Sequence, residues 1–198
     1  MIRLEEDPQE KEPAASAHPL AMVEKSLFES RTVLVFGEVT TELAQATAAR
    51  LLSLAQQSNE PIRMIVHSQG GHVEAGATIY DLVRFIGPEV KMIGTGWVAS
   101  AGALIYSAAK KENRFSLPNT RFLLHQPLGG IRGNAADIEI ETNQILAIRE
   151  RLNRIFAEAT GQPYEKIAAD TDRNFWMTAA QARDYGLVHA IVERASEV

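Results

Sequence analysis

Three short stretches supply the side chains from which acyl-transfer chemistry is built: a hydroxyl, an imidazole and a pair of adjacent glycines. Ser100 lies in Gly96-Trp-Val-Ala-Ser100-Ala-Gly-Ala103. An apolar run at Val90 to Ile93, continuing to Thr95, reads as a buried strand, and a helical segment through Ala109 follows. Ser100 is thereby placed where a strand hands over to a helix, beside free amides and a positive dipole end that favour developing negative charge. The surrounding Gly and Ala leave room for a substrate chain. The same position suits a plain helix N-cap, and this stretch alone does not choose between the two roles. His125 closes the apolar run Arg121 to Leu124, just before Pro127, Gly129 and Gly130; by itself it reads equally as a structural hydrogen-bonder. Gly70 and Gly71 close Val66-His-Ser-Gln69, and such a turn can offer bare amides to an oxyanion.

These pieces need a scaffold, and the pattern predicts one of alternating strands and helices. Thr32 to Phe36 reads as a strand ended by Gly37, and Glu42 to Gln57 as a helix capped by Thr40 or Thr41. Ile62 to Val66 is the next strand, Val73 to Phe85 a helix, and Arg121 to Leu124 and Val188 to Val192 complete the alternation. Repeated βα units of this kind imply a parallel sheet with helices on its faces. Ala135 to Ala159 is one long helix carrying Ile138, Ile140, Ile145, Leu146, Ile148, Leu152, Ile155 and Phe156, more apolar positions than one protomer needs. It is therefore expected to form an oligomer interface.

Composition narrows the function classes. The 198 residues make one domain's worth of chain, with 45% apolar residues and a formal charge of -5. That acidity argues against nucleic acid or an anionic membrane surface as the main partner. With no cysteine, thiolate catalysis, disulfides and cysteine zinc sites are excluded. Neither a membrane span nor a basic-then-apolar leader is evident, so a cytoplasmic location is expected. Residues 1–19, rich in Glu, Pro, Ala and Ser, read as a flexible acidic tail or propeptide, and 20–198 as the folded domain.

Ser68-Gln-Gly-Gly71, Ala99-Ser-Ala-Gly102 and His125-Gln-Pro-Leu-Gly-Gly130 occur in this order with Leu117-Pro-Asn119, Ala136-Asp-Ile-Glu-Ile140, Thr160-Gly161 and Tyr185-Gly-Leu-Val188. Together they resemble the proteolytic subunit of the Clp protease over roughly Ser26 to Glu193. That family's corresponding motifs are Ser-Pro-Gly-Gly, Ala-Ser-Met-Gly and His-Gln-Pro-Leu-Gly-Gly. The resemblance implies a ClpP/crotonase-like α/β fold of repeated β-α units with a protruding handle over about 128–161. It also implies a serine endopeptidase needing no metal or other cofactor. Ser100 would be the nucleophile, His125 the general base, and the amides of Gly71 and Ala101 the oxyanion hole. Gly70 and a handle strand containing Leu128, Gly129, Gly130 and Ile131 would hold an extended peptide. The long helix would interdigitate two stacked heptameric rings. His67 falls where the family usually has Asn, and it is read, like His72, as structural.

Departures from the family pattern qualify this expectation. The third triad position falls on Asn174, where the family has Asp. An Asn oxygen can hold the imidazole, but it carries no charge to stabilise imidazolium, and Asp-to-Asn costs a serine peptidase about 10⁴ in kcat. Asp172 would substitute only if its loop ran differently; otherwise Asp172 and Arg173 match the family's inter-ring ion pair. Phe85 and Phe115 match two aromatic residues of the pocket that receives an AAA+ unfoldase, but Arg63 and Ile65 stand where two tyrosines are usual. The family's N-terminal axial segment is faint here, at Lys25 to Phe28. The chain is thus expected to be a divergent paralogue. It would act as a Clp-type peptidase with weak or partner-dependent activity, in homo-oligomeric rings or a mixed particle with a second Clp proteolytic subunit. The alternatives are a structural or regulatory ring, or an acyl-CoA enzyme on the same oxyanion scaffold.

Overall fold

The computed structural model describes residues 19–198; of the stretch read as a tail, only Pro19 is among them, as the first residue of α1 (Pro19–Glu29). In β1 (Thr32–Val39), Val33, Val35 and Val39 are buried while Phe36 stays exposed. Thr40 then caps α2 (Thr41–Gln57), its hydroxyl accepting from the Leu43 amide at 3.1 Å, with Glu42 in the first turn at the positive end of the dipole. Strand β2 (Ile62–Gly71) alternates strictly, burying Ile62, Met64, Val66 and Ser68. Helix α3 (Val73–Phe85) is capped by His72, whose Nδ1 accepts from the Ala75 amide at 3.3 Å.

β3 (Val90–Ala99) runs four residues beyond the predicted strand end at Thr95. Its register against β2 slips between the pairs Val66–Gly94 and Ser68–Val98, a bulge that Gly94 and Gly96 permit and that hides the alternation from sequence. This bulge divides the strand's partners. Met92 to Gly94 pair with β4 (Arg114–Ser116), and Trp97 to Ala99 pair with β5 (Arg121–Leu124). Beyond β5 the sheet departs from the parallel expectation: β6 (Phe175–Thr178) pairs with it antiparallel. β7 (Ala190–Ile191), shorter than the predicted Val188 to Val192, adds to β4 and completes the order β1-β2-β3-β4-β7.

Helices α2, α3 and α4 (Ala101–Tyr106) cover one face of this sheet, burying Leu51, Leu54, Ile79, Leu104, Ile105 and Tyr106. Each such side chain contributes about 1.5–3 kcal/mol. Helix α4 is shorter than predicted, ending at Tyr106 with Ser107 as its cap. The predicted long helix is α5 (Ala135–Thr160), started by Asn134, whose Oδ1 accepts from the Asp137 amide at 3.0 Å. Only its second half joins the core, through Leu152, Asn153, Phe156 and Thr160, while Ile138, Ile140 and Leu146 remain exposed. Two short helices, α6 (Tyr164–Asp170) and α7 (Ala179–Tyr185), bracket β6.

Candidate active site

Ser100 occupies a strained turn between β3 and α4, with φ 55° and ψ -122°, a region costing a side-chain-bearing residue about 1–3 kcal/mol. Its amide donates to the Leu123 carbonyl at 3.0 Å, tying the end of β3 to β5. The hydroxyl makes no N-cap hydrogen bond, which removes the capping role as its purpose. Instead Oγ lies 2.8 Å from Nε2 of His125. The turn demands glycine beside it: a Cβ on Gly70, where φ is +101°, would sit 2.5 Å from the Ser100 Cβ.

His125 follows the last residue of β5, and Asn174 precedes the first residue of β6. Leu124 and Phe175 form the final rung of the ladder, so the antiparallel register sets residues 125 and 174 opposite each other. The His125 Nδ1 and Asn174 Oδ1 are 3.0 Å apart. With the amide oxygen toward the ring, Nδ1 carries the proton and donates, leaving the Nε2 lone pair to accept from the serine hydroxyl. A hydroxyl, an imidazole and an amide oxygen thus stand in one hydrogen-bonded line.

Asp172 does not enter that line. Its Oδ1 is 3.1 Å from Nη2 of Arg149 on α5 and accepts from the Gln126 side-chain amide at 3.4 Å, while its carbonyl accepts from the same amide at 2.7 Å. Among the described residues the Arg173 side chain donates to the Asp172 carbonyl alone, at 3.3 Å, and both residues are exposed. The Gln126 backbone amide donates to the Thr171 carbonyl at 2.7 Å. The loop carrying Asn174 is therefore fastened to the segment after His125.

One amide beside the serine, that of Ala101, the first residue of α4, is left without a partner in its helix, whereas that of Ser100 is engaged by Leu123. Gly71 ends β2 at φ +151°, and a Cβ there would lie 2.5 Å from the Val39 carbonyl oxygen.

A small cleft beside Ser100 and His125 is lined by Val73, Ala101, Leu104, Pro127, Leu152 and Phe156. Apart from Ala101 and the general apolar pattern, sequence reasoning did not connect these residues to the site. The available signal was the i, i+4 pair Leu152 and Phe156, which aims one face of α5 at the serine elbow.

The predicted handle strand is not formed in the protomer. Leu128 to Ile131 belong to no ladder, and Leu128 is 86% exposed. A strand exists only by pairing, and among the described residues no other strand runs beside this segment. Gly129 packs so closely on Ile145 of α5 that a Cβ would lie 2.5 Å from its Cδ1.

His67 is directed into the β3 bulge, with Nδ1 3.2 Å from the Trp97 amide and 3.3 Å from the Thr95 carbonyl. Phe85 projects from the end of α3 at 79% exposure. Phe115 is half-buried on β4, in one register row with Ile93 and Ile65. Arg63, on the same face of β2, donates to the Ser30 carbonyl at 3.2 Å.

Comparison with known proteins identifies the family. The Clp protease family matches residues 16–195. The ATP-dependent Clp protease proteolytic subunit 3 of Rhizobium etli is 58% identical over 175 residues, covering 88% of this chain and 90% of that protein. Proteolytic subunit 2 of Gluconobacter oxydans is 52% identical over 205 residues, covering 99% and 92%. Among solved structures, an Asn-to-Asp mutant of ClpP1 from Listeria monocytogenes superposes with a TM-score of 0.83 at 54% identity, covering 88% of this chain and 98% of that one. ClpP1 from the same organism gives a TM-score of 0.80 at 52% identity. With the serine elbow, the imidazole and the glycine turn on this sheet, and with matches of this extent, the chain belongs to the Clp protease family.

Proposed function

We infer that the chain is a proteolytic subunit of an ATP-dependent Clp protease, a serine endopeptidase that hydrolyses peptide bonds of unfolded substrates. The observation that carries this reading is the Ser100–His125–Asn174 line, with contacts of 2.8 Å and 3.0 Å. Ser100 Oγ attacks the scissile carbonyl while His125 Nε2 takes its proton. The amides of Gly71 and Ala101 receive the oxyanion, and His125 then protonates the leaving amine. Water, activated by the same imidazole, releases the acyl-enzyme. Asn174 holds the ring and its tautomer but adds no negative charge, so turnover is slow unless contact with another subunit improves the alignment.

An extended peptide would pair with Leu128 to Ile131, beside Gly70, supplying the strand partner that the protomer lacks. The cleft formed by Val73, Leu104, Leu152 and Phe156 favours an apolar side chain at the cleaved bond. The exposed half of α5, with Ile138, Ile140 and Leu146, would join two heptameric rings, either of this chain or mixed with a second Clp proteolytic subunit. Asp172 and Arg173 would lie at that junction. An unfoldase would dock on the face carrying Phe85 and Phe115, weakly because Arg63 brings charge to an apolar surface. Among the described residues no helix is long and apolar enough to cross a membrane, and we place the particle in the cytoplasm.

Intact-mass analysis after fluorophosphonate treatment tests the chemistry. The reading expects an adduct on the wild type that is absent from Ser100→Ala, formed faster when a second Clp proteolytic subunit is present. Assembled rings that take no label under either condition would overturn the peptidase reading in favour of a structural ring.

A further inference from the structure

The two amides proposed to receive the oxyanion lie on different elements, Gly71 at the end of β2 and Ala101 at the start of α4. The first turn of α3 spans them. At one end of that turn the His72 amide donates to the Val39 carbonyl at 2.8 Å. Gly71 is pressed against the same carbonyl, where a Cβ would lie 2.5 Å from the oxygen. At the other end Gly76 packs on α4, and a Cβ added to it would lie 3.2 Å from that of Ala101. The Gly76 amide closes the turn by donating to the His72 carbonyl at 3.0 Å. The separation of the two amides is thus set by how firmly this turn is held.

Its cap is an imidazole. His72 Nδ1 accepts from the Ala75 amide at 3.3 Å, in a place where Ser, Thr, Asp and Asn are the usual residues. A neutral imidazole has one acceptor nitrogen and an imidazolium has none, so no rotation of the ring restores the cap once it is protonated. The cap also lies at the positive end of the α3 dipole, which disfavours a further positive charge. His72 is exposed, so solvent reaches the ring. The charged groups on the elements around it are Glu38 on β1, Glu42 in the first turn of α2, and Glu74 on α3, which is held by Arg151 of α5 at 2.7 Å. Helix α4 carries none. The other imidazoles are His67 of β2, turned into the β3 bulge, and His125, on the far side of Ser100.

We propose that His72 is a positioning residue of the peptidase site. In its neutral form it caps α3 and fixes the separation of the Gly71 and Ala101 amides. With protons on both nitrogens it releases the first turn, and the oxyanion loses part of its stabilisation. This rests on the reading of Ser100 as the nucleophile. It adds to that reading a proton-sensitive group distinct from His125, whose own protonation stops attack by removing the base.

The test is the rate of fluorophosphonate labelling of the full chain at about pH 7.5 and about pH 5.5, on either side of the ordinary imidazole range. Wild type, His72→Asn and His72→Ala are compared, since Asn caps a helix without titrating. At the higher pH, His72→Asn should label within about twofold of the wild type, and His72→Ala about three- to tenfold more slowly. At the lower pH the wild type should fall to the His72→Ala rate, leaving His72→Asn about three- to tenfold faster than both. His125 is present in all three proteins, so its titration cancels from these ratios. A purely structural role would appear in the melting temperatures and leave the ratio of His72→Asn to wild type the same at both pH values. Such a constant ratio overturns the proposal, as does a folded His72→Ala that labels like the wild type at the higher pH. Assembled wild type that takes no label at either pH overturns the peptidase reading itself, and this proposal with it.

Discussion

Replacing Asn174 by Asp should raise activity, and the structure sets the scale. The substitution places a carboxylate where Oδ1 already lies 3.0 Å from Nδ1 of His125. At that separation, attraction to the imidazolium formed during attack is about 1.4 kcal/mol under water-like screening and about 5.5 kcal/mol at an effective dielectric of about 20. Those limits correspond to about tenfold and about 10⁴-fold in rate. Asn174 is exposed in the protomer, so the expected gain is about 10- to 10²-fold, rising where assembly excludes water from the site. No nearby carboxylate opposes the change, since Asp172 is already paired with Arg149. The assay is kcat for a fluorogenic peptide carrying an apolar residue at the cleaved bond, with fluorophosphonate labelling rate as the second readout. Asn174→Ala should move both in the opposite direction. If Asn174→Asp leaves both rates unchanged or lower while native mass and melting temperature are preserved, imidazolium stabilisation is not what limits this enzyme.

Three further outcomes are expected. Gly70→Ala should lower the labelling rate by at least about 10²-fold, because its Cβ would meet that of Ser100 at 2.5 Å and displace the nucleophile; normal labelling by a folded variant would contradict this. Leu152→Ala should cost about 2–5 kcal/mol in a denaturant melt and shift cleavage in a peptide library toward larger apolar residues. Asp170 is pushed upward by burial but held below the usual aspartate pKa on balance, by Lys166 at 2.7 Å and the Tyr185 hydroxyl at 2.6 Å. Its lowered pKa stabilises the fold fully above the unfolded aspartate value of about 3.9, and that contribution is lost as pH falls from there through the lower folded value. Asp170→Asn should therefore be destabilising at pH 7, and its gap from the wild type should close in melts taken below about pH 4.

Much of this site was legible because small residues mark it. Gly70 and the Ala-Ser-Ala-Gly elbow are required by close approach, and such requirements are written directly in residue type. The cap at Thr40, the strands of β1, β2 and β5, and the extent of α5 followed from periodicity and capping chemistry. β4 and β6 were not legible. β4 is three residues long and buries an arginine where an apolar side chain would have signalled a strand. β6 follows the charged run Asp172-Arg173-Asn174, and its strand character comes from pairing with β5. The end of β3 was obscured because the bulge around Gly96 breaks the two-residue period. The conformation of Leu128 to Ile131 was not decided by these residues at all, because a strand there requires a neighbour that the described residues do not supply.

The ladder between β5 and β6 has one more consequence. Asn174 lies one step beyond its last rung, exposed, and among the described residues its side chain makes no hydrogen bond besides the one to His125. Folding is therefore nearly indifferent to whether an amide or a carboxylate stands there, while turnover is not. A selection for stability would pass both versions unnoticed, and a selection for proteolytic output would separate them at once. Catalytic strength in this chain can drift or be retuned at one position without any repair elsewhere in the fold.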